Sequence, residues 1–128
     1  MNGERGSVTV VTAAVVLVAL VLSLGASDVG RALIARSRAR TAADAAALAV
    51  AQELALPSGR DPSEVAVDYA MRNGAVVTAC TCAVDTFDAT VTVAITIGGF
   101  LLIAGARTVA ASARAVVDLP RATPTPFP

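Results

Sequence analysis

The chain contains no histidine, no tryptophan and no lysine. Without an imidazole, neither a histidine-based triad nor a His-ligated metal site can be built from it. Aromatic residues make up 3%, so any core must be assembled from small side chains, which pack backbones closely but thinly. Charge is scarce as well, at 16% against the roughly 25% usual for soluble domains. Ten basic residues, all Arg, balance ten acidic ones, which excludes the one-signed surface of a nucleic-acid binder. The two cysteines, Cys80 and Cys82, form C-x-C, which lacks the two intervening residues of a thioredoxin-type motif and has no second pair for zinc. These absences leave no catalytic centre, cofactor, metal or small-molecule substrate to expect. What remains is apolar: 55% of 128 residues, with mean hydropathy +0.70, enough for one small domain with part of the chain in lipid.

From Val8 to Ser27 there is no charged residue, and about twenty residues at 1.5 Å each cover the hydrocarbon of a bilayer. Backbone groups in lipid must bond within their own segment, so this run is expected to be helical despite its β-branched valines. A cleaved secretory signal is the competing reading, with Gly25, Ala26 and Ser27 as small residues near a cut. Cleavage after Ala26, however, sets bulky Leu24 where a small residue is required, and the run exceeds a usual signal core.

Beyond Asp28 the sequence stays helical in character, with no proline until Pro57. Val29, Leu33, Ala43, Ala47, Leu48, Ala51, Leu54 and Ala55 recur mostly at three- and four-residue steps, an apolar stripe in need of a partner. A continuous rod from Val8 to Leu56 is about 70 Å long, so its second half projects past the bilayer. Gly30 is its weak point. Asp28 and Arg31 stand three apart at the membrane exit, as a docking pair or, the preferred reading, an ordinary i,i+3 ion pair. Arg31, Arg36, Arg38 and Arg40 are placed to meet anionic headgroups or simply to solvate the rod.

Pro57–Pro62 forms a linker. Asp61, Pro62 and Glu64 read as N-cap, N1 and N3 of a new helix, the aspartate accepting from the N3 amide and the glutamate reaching back. Val65, Tyr69 and Ala70 share one face of that helix, and Asn73-Gly74 supplies a left-handed stop. From Ala75 the period becomes two. Val76, Thr78, Cys80, Cys82 and Val84 are expected on one face of a first strand, and Val91, Val93, Ile95 and Ile97 on the inward face of a second. Asp85–Asp88 joins them as a hairpin connection. Arg107 to Val117 alternates as a third strand, although its alanines also suit a helix. Two sulfurs on one strand face lie near the upper limit for bridging, which leaves buried thiols, a strained bridge or bonds to another chain. Gly98–Gly105, GGFLLIAG, is too short to span lipid and is either core or an exposed partner patch. The Pro-rich tail after Pro120 is expected to be disordered.

Taken in order, ERGSVTV, the apolar run, Asp-Val-Gly-Arg at 28–31, Arg36 and TAADAAALAVA at 41–51 resemble the TadE/TadG-like proteins of Flp (tight adherence) pilus assembly. The later Cys-bearing strand region is similar to small TadE-like proteins encoded beside secretion and DNA-translocation genes in actinobacteria. The resemblance implies a pseudopilin-like membrane protein whose long helix packs against other subunits of the apparatus. It also implies a processing site, Gly6 preceding a prepilin-peptidase cut and Ser7 becoming the first residue. The glutamate that cleaved relatives carry five residues past the cut is Val11 here, which brings the chain closer to a TadG-type anchor than to a major pilin. The plainer alternative is that Gly3 and Gly6 only loosen the helix start.

Charge counting sets Arg5 against four Arg residues just after the span and favours a cytoplasmic C-terminal part; the resemblance implies the opposite orientation and is followed here. The expected organisation is therefore a membrane-anchored α+β protein. It has a cytoplasmic tail (1–7), a transmembrane and extended helix (8–56), a small extracytoplasmic domain (57–119) with one short helix and an antiparallel three-stranded sheet, and the tail (120–128). Its expected role is that of a non-enzymatic, single-pass component of a Flp/Tad-type pilus or secretion apparatus, its partners being the bilayer and other subunits. Two alternatives are an exported binding domain released by signal peptidase and a membrane-tethered thiol-disulfide protein.

Overall fold

A computed structural model describes residues 4–102 and 104–118; the proline-rich tail expected at 120–128 lies outside them. Two helices and three strands follow in chain order: α1 (Glu4–Ala55), α2 (Pro62–Arg72), β1 (Val76–Thr81), β2 (Asp88–Ile97) and β3 (Arg107–Val116). The class is the expected one, α+β with a long apolar N-terminal helix, and the alanine-rich third segment is a strand.

Helix α1 runs for 52 residues, about 78 Å at 1.5 Å per residue. It passes through Gly30 without a break. Inside the apolar part, the hydroxyls of Thr12, Ser23 and Ser27 donate to the carbonyls of Val8, Ala19 and Ser23, four residues back, at 2.9, 2.8 and 3.0 Å. Those side chains thereby carry their own acceptors with them, as a helix in an apolar medium requires.

The second half of α1 finds its partner within the chain. The strands form an antiparallel meander in the order β1-β2-β3, and one face of that sheet closes on α1 and α2. Ala42, Ala43, Ala46, Ala47 and Val50 on the helix are buried against Ala89, Val91 and Val93 of the central strand. Of the expected apolar stripe, Ala43, Ala47, Ala51 and Leu54 join this core, whereas Val29, Leu33 and Leu48 are 60%, 62% and 55% exposed. Alanine has nothing beyond Cβ, so an alanine face lets the sheet approach the helix backbone more closely than leucines would allow.

Two sequence expectations are corrected in the first hairpin. The register of β1 against β2 shifts between Val77 and Ala79, leaving Thr78 as the extra residue of a bulge, its hydroxyl donating to the Thr92 carbonyl at 3.2 Å. The bulge changes the parity of the strand: Val77, Cys80 and Cys82 face the core, while Val76 and Val84 are 67% and 75% exposed. The strand also ends at Thr81 and β2 begins at Asp88, so the connection is longer than Asp85–Asp88. A bidentate pair fixes its far side, Arg114 Nε and Nη2 donating to the Asp88 carboxylate at 2.9 and 2.5 Å.

Helix α2 is capped by Asp61, whose carboxylate accepts from the N–H of Ser63 at 2.7 Å. The acceptor thus serves N2 rather than N3, and among the described residues Glu64 makes no return bond to the cap. At its end Ala75 N–H donates to Ala70 O and Gly74 N–H to Met71 O, with Gly74 at φ +72°, a Schellman stop in the left-handed conformation that glycine adopts without strain. Between the helices, the Glu53 carboxylate accepts from the N–H and hydroxyl of Ser58 and the N–H of Arg60, tying the linker to the end of α1. These hydrogen bonds, the Ser58 hydroxyl foremost, hold Glu53 below the usual carboxylate range.

Candidate interaction surface

From Val8 to Leu24 the apolar part of α1 is uncovered on every side. Val15, Val16, Leu17 and Val18 occupy four successive positions, which together go once round a helix, and are 62%, 53%, 64% and 55% exposed. A helix apolar all round belongs in lipid or against other apolar helices, and this one is long and apolar enough to cross a membrane.

Where that stretch ends, the chain builds a clamp. Asp28 is 7% exposed, the one buried charged residue among those described. Its carboxylate accepts from the N–H of Leu101 at 2.9 and 3.1 Å and from the N–H of Leu102 at 2.9 Å. Those two backbone donors, Leu101 first, hold the Asp28 carboxyl below the usual aspartate range; burial opposes them and the Arg31 charge assists. One turn on, Arg31 Nη1 donates to the carbonyl of Gly99. The expected Asp28–Arg31 ion pair is therefore corrected: both side chains turn to the β2–β3 loop, where backbone groups need partners that a neighbouring arginine cannot replace. Gly99, at φ +77°, lets the chain turn there. On the membrane side, the Leu102 Cδ1 atom lies 3.7 Å from where a Cβ on Gly25 would stand. Gly30, grouped with Asp28 and Arg31 in the sequence motif, faces open space instead.

Next to the clamp is a cleft of about 290 Å³ lined by Arg31, Ile34, Arg38, Ile95 and Ile97, an apolar floor between two cations. Arg36 and Arg40 are exposed. Gly6 and Ser7 lie in the first turns of α1, exposed, and a Cβ on Gly6 would meet nothing. Cys80 and Cys82 are joined by a disulfide with Cα atoms 5.6 Å apart, inside the ordinary range because the chain has left the strand by Cys82. Among the described residues, no group of three His, Cys, Asp or Glu comes together to hold a metal ion.

The residues brought together thus differ from those the sequence groups. Asp28 and Arg31 meet Gly99, Leu101 and Leu102 across about seventy positions. A signal for this existed: a lone aspartate closing an uncharged span, and an uncharged glycine-flanked loop with unpaired amides.

Residues 6–53 match the family model of Tad, the Flp pilus-assembly TadE/G-like family. No curated protein and no solved structure matches the chain. The match begins at Gly6, runs through the apolar stretch and the clamp aspartate, and stops near the end of α1, so that the strands and α2 lie beyond it. Over those residues of the long helix the chain is similar to the TadE/G-like proteins of Flp pilus assembly.

Proposed function

We propose that this chain is a non-enzymatic, single-pass membrane component of a Flp/Tad-type pilus-assembly or secretion apparatus, a pseudopilin-like or minor subunit with its α+β head outside the cytoplasm. The observation that carries the reading is one unbroken helix, bare and apolar over Val8–Ser27 and sheathed by its own sheet from Ala35 onward. Such a subunit needs a helix that rests in lipid and can exchange lipid contacts for contacts with other helices. Because the distal alanine face is already used by β2 and β3, partner subunits are left the span and the outer side of the rod, where Leu33 and Leu48 stand exposed. Val11 offers no carboxylate for pairing with a neighbour's amino terminus, which favours an anchor over a major filament subunit.

Retention of the span is supported by the clamp. A cut after Ala26 would fall two residues before Asp28, inside a continuous helix and beside the Gly25–Leu102 contact. Orientation follows the family resemblance. The four arginines after the span argue otherwise, but about a hundred residues follow it, and segments of that size cross largely regardless of charge.

The test is a pair of fusions after Pro128, alkaline phosphatase and a fluorescent protein, with the mass of the mature chain measured alongside. An active phosphatase fusion on a chain that is intact, or shortened only by Met1 to Gly6, supports the proposal. A silent phosphatase with a fluorescent partner leaves a cytoplasm-facing adaptor, and loss of the first 26 residues leaves a released soluble domain; either outcome overturns it.

A further inference from the structure

We propose that the β2–β3 loop, Gly98 to Leu102, is a second membrane contact: it seats Leu101 and Leu102 in the lipid interface on the head's side, beside the emerging helix. The inference rests on the reading of Val8–Ser27 as a membrane span.

Depth is fixed by the clamp. Gly25 lies three residues before Asp28, about 4.5 Å further into the apolar run, and Leu102 packs at its level. A side chain that reaches Gly25 lies alongside residues that are themselves in lipid. Interfacial segments bury their apolar face about 5–10 Å into the headgroup and acyl boundary, so the loop needs no displacement to reach it.

The division of polar and apolar groups points the same way. The N–H groups of Leu101 and Leu102 both donate to Asp28, and the Gly99 carbonyl accepts from Arg31. Three backbone groups that lipid could not satisfy are thus turned inward onto the helix. The side chains are turned outward: Leu101 is 54% and Leu102 51% exposed, with Phe100 half-buried beside them. A loop between two strands is ordinarily polar, yet no charge occurs from Gly98 to Ala106. The exposed leucines are continuous with the bare apolar surface of the span, where Leu22 is 67% and Leu24 39% exposed. The occupant is therefore the bilayer already in contact with that surface. Arg107, opposite Ile97 at the foot of the loop, and Arg31 and Arg38 beside the cleft described above supply cations on the head's side of the leucines, where phosphate headgroups lie.

With two contacts instead of one, the head cannot swing freely about the end of the span. It stands with the strands of its sheet alongside the rod and the β1–β2 connection at the opposite end, roughly 30 Å from the loop for a ten-residue strand.

Because the chain has no tryptophan, single substitutions give unique reporters. Full-length Leu101→Trp, Phe87→Trp and Leu17→Trp, each reconstituted in phosphatidylcholine–phosphatidylglycerol vesicles, are compared with and without lipids brominated near the headgroup end or deep in the acyl chain. The proposal expects the tryptophan at position 101 to be blue-shifted and quenched chiefly by the shallow bromines. That at position 87, 46% exposed at the far end of the sheet, should keep its emission, and that at position 17 should be quenched by the deep bromines. Loss of quenching at 101 with quenching retained at 17 overturns this inference and leaves the span intact. A blue shift at 101 that is unquenched and grows with protein-to-lipid ratio also overturns it, assigning the loop to a second copy of the chain. No quenching at 17 overturns the span reading itself. Circular dichroism of each variant reports that it is folded, and Leu102→Trp replaces any Leu101 variant that is not.

Discussion

Which side of α1 is covered decides how much of the rod is free for other subunits, and one pair of substitutions measures it. Val50 is fully buried between α1, α2 and the sheet, whereas Leu48, two residues away, is 55% exposed. Val50→Ala deletes two methyl groups. At about 0.8 kcal/mol per buried carbon the lost transfer energy is about 1.6 kcal/mol. A residual void of about 50 Å³ at about 24 cal/mol per Å³ brings the loss to about 2–3 kcal/mol. Leu48→Ala removes more apolar carbon but from the open side, so its effect should stay within about 0.5 kcal/mol. The assay is urea unfolding of the full chain in mild detergent, followed by circular dichroism, with slopes compared so that only midpoint shifts are read as stability. The reverse order, with Leu48→Ala costing about 2 kcal/mol or more and Val50→Ala nearly silent, would show that the large apolar residues face the sheet and that the alanine-face packing is wrong.

Asp61→Ala removes the acceptor for the Ser63 N–H and should lower stability by about 0.5–2 kcal/mol in the same assay; an unchanged midpoint would place the start of α2 elsewhere. Gly30→Ala, where a Cβ meets open space inside a helix, should stabilise by about 0.5–1 kcal/mol, and a loss would reveal a contact or bend that requires glycine. The clamp should be pH-sensitive in one direction. Hydrogen bonds from the loop hold the Asp28 carboxyl below its ordinary value, so the ionised form favours the docked loop. That contribution is complete above the ordinary aspartate value of about 4 and is lost as pH falls below it. Exchange protection at the Leu101 and Leu102 amides, corrected for intrinsic rates, should fall over that range, and Asp28→Asn should weaken it at neutral pH. Protection that is independent of both would dissociate the loop from the carboxylate.

Much of this architecture is legible in the sequence because local rules and the fold agree. The uncharged stretch, the Asp61-Pro62 start, the Asn73-Gly74 stop and the alternation of β2 and β3 each follow from short-range chemistry. What was missed depends on partners distant in sequence. Of the apolar stripe on α1, Ala43, Ala47, Ala51 and Leu54 are buried, whereas Val29, Leu33 and Leu48 stay exposed because the sheet and α2 close on the alanine side of the rod. The parity of β1 was lost to a single extra residue, Thr78, which no alternation pattern reveals. The spacing of Asp28 and Arg31 favours a helical i,i+3 pair over a docking pair, but the docking partners, the Leu101 and Leu102 amides and the Gly99 carbonyl, lie about seventy positions away. The GGFLLIAG segment left two readings open, core or exposed patch, and over Gly99 to Leu102 the structure combines them: the Gly99 carbonyl and the Leu101 and Leu102 amides are held, and the two leucines are half exposed.

The central claim, that one helix both spans the membrane and carries the head, is tested most directly by alkaline carbonate extraction of cells expressing the full chain or Leu17→Arg. An arginine at the centre of a span costs roughly 2.5–3.5 kcal/mol on insertion scales. The account predicts that the unaltered chain stays with the membrane pellet while Leu17→Arg leaves it or is degraded. Recovery of the unaltered chain, full length, in the soluble fraction would contradict it.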